Sequence, residues 1–209
     1  MNRLETRSIL TREKVRALLG LNDQIAKVAA YIDFVRLGEQ VEHSCLVVDS
    51  LVGRFGQNRD GVRQITCLYI PGDMADLPSV VSPKAGWALG ALTSTTILRV
   101  PHADLRRLAA KHPGIAEAFW RDCVADGSLF SEWVVNVGWR DTLSRTAHLF
   151  CEMAIRCEHA GQGNKRSCLE VGLHRNCQTI AASVLGLIKC DIGHLNGRIK
   201  RGTGIGNSR

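Results

Sequence analysis

The side chains best equipped to act on a partner gather near one end of the chain. Residues 178–187 read as a short helix, and Gly186 falls where a tight inter-helix turn needs a residue able to take positive φ. Residues 188–201 read as a second helix, with Ile192, Leu195 and Ile199 inward at spacings of three and four. Its outward side chains are then Lys189, Asp191, His194, Arg198, Lys200 and Arg201. Two short helices around a glycine corner, the second basic on its outer face, form a helix-turn-helix pattern. In that arrangement the second helix enters a DNA major groove. Lys189, Asp191 and His194, in its early turns, face base edges, while Arg198, Lys200 and Arg201 meet phosphates. Spacing alone leaves an ordinary helical hairpin open as the alternative.

Other chemistries have weaker support. Eight cysteines stand at 45, 67, 123, 151, 157, 168, 177 and 190, and no two are spaced CxxC. That excludes a zinc ribbon or a thioredoxin motif and leaves reduced thiols serving as small apolar side chains. A cupin-like metalloenzyme needs clustered His and carboxylate ligands. Of the seven histidines (43, 102, 112, 148, 159, 174 and 194), only His43 and His102 fall in or beside the region that reads as β, without an HxH pair. His112 reads as a helix cap, and His148 as packing between helices. The expectation is a protein that is not an enzyme, with no catalytic residue, metal or cofactor.

The elements that would position the basic helix divide the 209 residues by charge. Residues 140–209 hold eleven Lys and Arg against five acids, a net of +6, whereas the first 139 carry +1. A nearly neutral body with a basic C-terminal third suggests a polyanion-binding part attached to something else; a solvated basic surface is the plainer reading. Apolar residues at 45% argue against disorder, and aromatics at 5% make the core mostly aliphatic. No apolar run is long enough to span a membrane, and the charged first residues do not read as a signal peptide, so a cytoplasmic location is expected.

Along the body, residues 10–31 read as one or two short helices, with Leu10, Val15, Leu18, Leu19, Ile25, Val28 and Ala29 at near-helical spacing. Residues 46–52 hold short β-branched runs, and 63–70 reads as a strand after a turn near Asp60-Gly61, giving a β-hairpin. Pro71-Gly72-Asp73 is another turn, and 87–92 and 95–100 are further strands. Residues 33–100 thus read as an antiparallel sandwich or barrel. A helix over 104–111 follows, broken at His112-Pro113-Gly114. The next helix carries an apolar stripe of Ile115, Ala118, Phe119, Cys123, Leu129, Phe130, Trp133, Val134 and Val137, suited either to cap the sheet or to form a dimer seam. Gly138 marks its end, and 140–158 reads as a helix with Leu143, Ala147, Phe150, Cys151 and Ala154 inward.

This order of parts resembles the CRP/FNR family of bacterial transcription regulators over nearly the whole chain. The likeness rests on Arg36-Leu37-Gly38-Glu39, Asn58-Arg59-Asp60-Gly61 with Arg63-Gln64-Ile65, and Ile70-Pro71-Gly72-Asp73. It rests also on 96–101 leading to His112-Pro113, and on Cys177-Gln178-Thr179, Leu185-Gly186-Leu187 and Ile192. The resemblance implies an α+β fold: a cyclic-nucleotide-binding-like antiparallel β-roll or jelly-roll domain over 1–112, a dimerisation helix over 113–137, and a helix-turn-helix DNA-binding domain over 138–209. It implies a homodimer through helix 113–137 that binds double-stranded DNA, Gln178 joining the contact set, with RNA polymerase a further partner and no membrane involved.

Departures from the family pattern shape the functional expectation. Members that bind cyclic nucleotides use a Gly-Glu pair after the Gly-Asp turn and an Arg-Ser or Arg-Thr pair further on. Here Asp76 and Leu77 stand in the Gly-Glu positions, and no Arg lies between 64 and 99. A phosphate would lose its charge-assisted bonds. The first cysteine is Cys45, which leaves no N-terminal cluster for an iron–sulfur centre. In the recognition helix the usual Glu-x-x-Ser-Arg becomes Cys190-Asp191-Ile192-Gly193-His194, Ile188 replaces a Ser/Thr cap, and RGTGIGNSR stands where members continue into a β-wing, suggesting a truncated wing. The leading expectation is a DNA-binding regulator with a degenerate effector pocket. The alternative is a ligand-sensing β-barrel that has lost specific DNA binding.

Overall fold

A computed structural model describes residues 10–159 together with Leu4 and Ser8. The first element, α1 (Arg12–Leu19), starts at Thr11, whose hydroxyl accepts from the Lys14 N–H, and stops at Gly20. Seven strands follow: β1 (Gln24–Val28), β2 (Asp33–Val35), β3 (His43–Val47), β4 (Val52–Gln57), β5 (Arg63–Tyr69), β6 (Ala88–Ala91) and β7 (Thr95–Pro101). They form two antiparallel sheets, β1-β7-β3 and β2-β6-β4-β5. Val35, Val47, Val52, Cys67, Tyr69 and Leu89 are buried in one cluster that joins strands of both sheets. The β-roll expectation is met.

The β4–β5 hairpin closes where the Asp-Gly signal places it. Gly61 takes φ 80°, and the Asn58 carboxamide oxygen accepts the N–H groups of Asp60 (3.0 Å) and Val62 (2.8 Å). Gly72 takes φ 93° in the turn after β5. Residues 24–31 are a correction: they are not helical. Gln24–Val28 runs as an edge strand against β7, from Gln24 opposite Arg99 to Val28 opposite Thr95. Ile25 and Val28 satisfy helical spacing, but Gly20 ends α1, and the open edge of β7 offers backbone partners to a β-branched segment.

Three helices follow the roll: α2 (His102–Lys111), α3 (Pro113–Trp139) and α4 (Thr142–His159). Pro113 opens α3, where its missing N–H costs nothing. His112 sits at the α2–α3 junction as expected, although it caps through its backbone alone. The helix runs through Gly138 to Trp139, and Arg140 turns extended. Asp141 then caps α4, its carboxylate accepting the Ser144 N–H at 2.8 Å. The N-terminal part of α3 packs with Met74, Leu77, Leu105 and Leu108, and its Trp133 packs with Leu51, Leu68, Leu92 and Leu149. Among the described residues no helix is long and apolar enough to cross a membrane.

The face of α4 differs from expectation in part: Phe150 packs on the core as expected and Ala154 is half-buried. Leu143, Ala147 and Cys151 are exposed, and the inward line is Arg145, Leu149 and Glu152 with Arg156. Three of these four are charged. Leu143 and Ala147 lie two residues, about 200° of helical rotation, from Arg145 and Leu149, so that apolar line points nearly opposite to the true face.

Candidate functional site between the roll and the long helix

The turn after β5 lays the next segment along β3. Gly72 N–H donates to Val47 O (2.8 Å), Val47 N–H to Asp73 O (2.9 Å), and Ala75 N–H to Cys45 O (2.7 Å). Asp73 is thereby fixed and buried, accepting the Ile70 N–H at 2.9 Å. Its carboxylate pairs with Arg156 of α4. Arg156 also binds Glu152 at 3.0 Å, and Glu152 accepts the Trp133 indole N–H at 2.6 Å. One continuous polar chain thus runs from the roll through α4 to α3. Burial works against the Arg156 charge, but Asp73, Cys67 and Glu152 outweigh it and hold the guanidinium pKa above its ordinary value.

A second set of interior polar groups lies beside this chain. Arg54 on β4 is 8% exposed and stacks on two rings, Trp87 at 5.0 Å and Phe130 of α3 at 5.2 Å. Asp76 precedes a short 3-10 turn (Leu77–Val80) and is fully buried. Burial pushes its carboxyl pKa up to about 6, against the opposing pull of Ser79, Trp87 and Arg54. Among the described residues neither Asp76 Oδ2 nor Trp87 Nε1 has a hydrogen-bond partner. Ser79 donates to Asp76 O at 2.6 Å and lies 2.7 Å from His102 Nε2. Tyr69 donates to Asp126 of α3 at 3.3 Å.

These positions bear on the cyclic-nucleotide reading. Leu77, at the Glu position of the family pattern, is buried with Met74 and Leu105. Lys84, the only cation between 64 and 98, is exposed. The inward cation is Arg54 instead, set beside an acid and two rings. Sequence reasoning missed it; its one signal was a charged residue in an otherwise small and apolar strand start, Val52-Gly53-Arg54.

The outward side of α3 has the opposite character. Trp120 (70% exposed), Val124 (68%), Val134 (57%) and Val135 are open apolar side chains. Ser128 and Ser131 lie beside them and donate back to Val124 O and Gly127 O, each at 3.0 Å, so their hydroxyls demand no further partner. The expected stripe therefore splits. Ile115, Ala118, Phe119 and Trp133 turn toward the body, while Val134 lies outward and Phe130 is part-exposed on Arg54. Gln178, Lys189, Asp191, His194, Arg198, Lys200 and Arg201 lie outside the described residues.

No protein-family model and no curated protein matches the sequence. Solved structures do match in shape. FixK2 from Bradyrhizobium japonicum is 20% identical with TM-score 0.63, the match covering 90% of this chain and 91% of that one. The c-di-GMP-responsive global regulator CLP of Xanthomonas campestris is 11% identical with TM-score 0.57, covering 80% and 93%. A cyclic nucleotide-binding domain from Methylobacillus flagellatus is 15% identical with TM-score 0.52, covering 60% and 71%. At these identities the likeness is one of fold.

Proposed function

We propose that the chain is a transcription regulator of CRP/FNR type. It works as a homodimer through helix 113–137 and binds double-stranded DNA with its C-terminal third, in the cytoplasm, with RNA polymerase as a further partner. The observation that carries this reading is the two-sided character of α3. One side is tied to the roll by Arg54–Phe130, Tyr69–Asp126 and the Trp133–Glu152–Arg156–Asp73 chain. The other is an open apolar stripe suited to a second copy of the same helix. A change inside the roll would reach both the seam and the chain beyond α4 through these contacts.

In this reading Lys189, Asp191 and His194 face base edges, and Gln178, Arg198, Lys200 and Arg201 hold the backbone. The test is a duplex selection from random sequence, followed by anisotropy over a salt series. Lys200→Ala with Arg201→Ala weakens binding to every duplex and flattens the salt slope by about one to two. His194→Ala changes which duplex is preferred, by about 1–3 kcal/mol at one base pair. A second reading, a ligand-sensing roll without specific DNA binding, is favoured by His194 and Ile188 in place of an Arg and a helix cap. Selection that enriches no sequence supports it.

A further inference from the structure

A groove of about 830 Å³ opens on the roll where β1, β2 and the 36–39 loop meet β7, with none of residues 73–76 in its lining. The volume lies within the usual range for small-molecule sites. Its walls combine apolar side chains, Val28, Ile32, Phe34 and Leu37, with three cations, Lys27, Arg36 and Arg99. Of its two acids one is paired outside the groove and the other is bonded at its lip, where it keeps its charge against three cations. Asp33 holds Arg63 through two bonds (2.9 and 2.5 Å), and Glu39 accepts the Arg36 backbone N–H at 2.8 Å. Among the described residues, Lys27, Arg36 and Arg99 form no ion pair. The groove is left with net positive charge.

Arg99 is the most telling of these groups. Residues directly opposite in an antiparallel pair share a face, and Arg99 stands opposite Cys45, which is fully buried. It is also two residues from the fully buried Ile97 on the same strand. The arginine therefore starts on the inner face of its sheet, at the groove's edge, and its Nε is buried with no partner among the described residues. Burial and then Arg99 itself lower the pKa of His43 beside it, against the opposing pull of Glu39 and Glu42.

The apolar wall is built in place. Tyr31 takes φ 66°, a conformation costly for a bulky residue. Two bonds hold that turn against β6: Tyr31 N–H to Ala91 O at 2.7 Å, and Ala91 N–H to Ile32 O at 3.0 Å. The result sets Ile32 and Leu37, both more than half exposed, on the rim of a cationic groove.

We propose that this groove binds an aliphatic carboxylate: the headgroup on Arg99, with Lys27 and Arg36 adding positive charge at the exposed walls, and the chain along Val28, Ile32, Phe34 and Leu37. The planar guanidinium fork matches a carboxylate with two parallel bonds. The site stands independently of whether the C-terminal third reads DNA.

The test is calorimetry on the full chain with sodium decanoate, below its micelle concentration and at low salt. Saturable binding at one site per chain is expected. It should be at least about tenfold tighter than binding of acetate or of decylammonium, because headgroup charge and chain are both used. Arg99→Gln weakens decanoate about tenfold or more, and Leu37→Ala weakens it by a smaller factor. Lys27→Gln with Arg36→Gln, both at exposed side chains, weakens it in a chain whose melting profile stays that of the wild type. Lys111→Gln with Arg107→Gln, the same charge change on α2, leaves it unaltered. Wild-type protein that gives no heat, or binds decylammonium as well as decanoate, overturns the proposal. So does a Lys27/Arg36 double variant that binds decanoate as the wild type does.

Discussion

Two faces of one helix carry opposite chemistry. The side of α3 against the body holds Asp122, Asp126 and Asn136 among its buried residues, together with Trp133 bonded to Glu152. The side away from the body holds Trp120, Val124, Val134 and Val135 in the open. A helix that served only to cap a sheet would show the reverse. Polar groups are buried at a cost unless they are bonded, and several of these are joined to partners on the roll or on α4. The inner face therefore specifies a position, and the outer face supplies apolar area for association. In the proposed dimer, that division would let the helix report the state of the roll to the second subunit.

The inner side offers the largest effect. Arg156→Ala leaves Asp73 and Glu152 buried without their cation. Urea denaturation should show a loss of about 3–5 kcal/mol. Arg156→Met combined with Asp73→Asn should lose less, because fewer charges remain stranded. If Arg156→Ala is as stable as the wild type, the polar chain does not hold α4 to the roll.

On the outer side, Val124→Asp places a charge in the proposed seam. The dimer should weaken by about 3 kcal/mol, more than a hundredfold in Kd, as read by sedimentation. Phe130→Asp should also weaken it, with an added stability loss because that ring rests on Arg54. Equal dimerisation by wild type and Val124→Asp would place the seam elsewhere.

A smaller effect separates the roll interior from both faces. Asp76 has a folded pKa raised to about 6, above the unfolded value of about 3.8. A raised acid pKa means the folded state holds its proton more tightly. The stability this group contributes is present at pH 4 and is lost as the pH rises through 6. Asp76→Asn should therefore gain on the wild type by about 1–3 kcal/mol between pH 4 and pH 7. An advantage independent of pH would mean that Asp76 is ionised throughout. The smallest expected signal is in calorimetry with cyclic AMP or cyclic GMP, which should give no saturable heat at micromolar concentrations. Lys84 is exposed and Leu77 is packed away, so among the described residues the family's phosphate and ribose positions hold no partner for either group.

Much of the fold was legible because local chemistry and tertiary structure agree. Gly61 and Gly72 take the positive φ their turns need, and His112-Pro113 ends one helix and starts the next. The misreadings share a cause. Helical spacing of Ile25 and Val28 could not reveal that β7 had an open edge to pair. The inward line of α4 was hidden because Arg145, Glu152 and Arg156 count as solvated in any hydropathy pattern, yet Glu152 and Arg156 belong to the buried network and Arg145 is buried on the carbonyls of Val137 and Arg140. Arg54 was missed, and the burial of Asp76 with it, for the same reason: a buried charge becomes recognisable only when its partners, distant in sequence, are brought beside it.

The most direct test of the regulator reading is sedimentation equilibrium of the full chain with a fluorescent duplex carrying the selected sequence, at low salt. The account predicts two chains per duplex, with Val124→Asp losing both the pairing and most of the DNA affinity. A complex of one chain per duplex, or wild-type protein that leaves the duplex free, would contradict it.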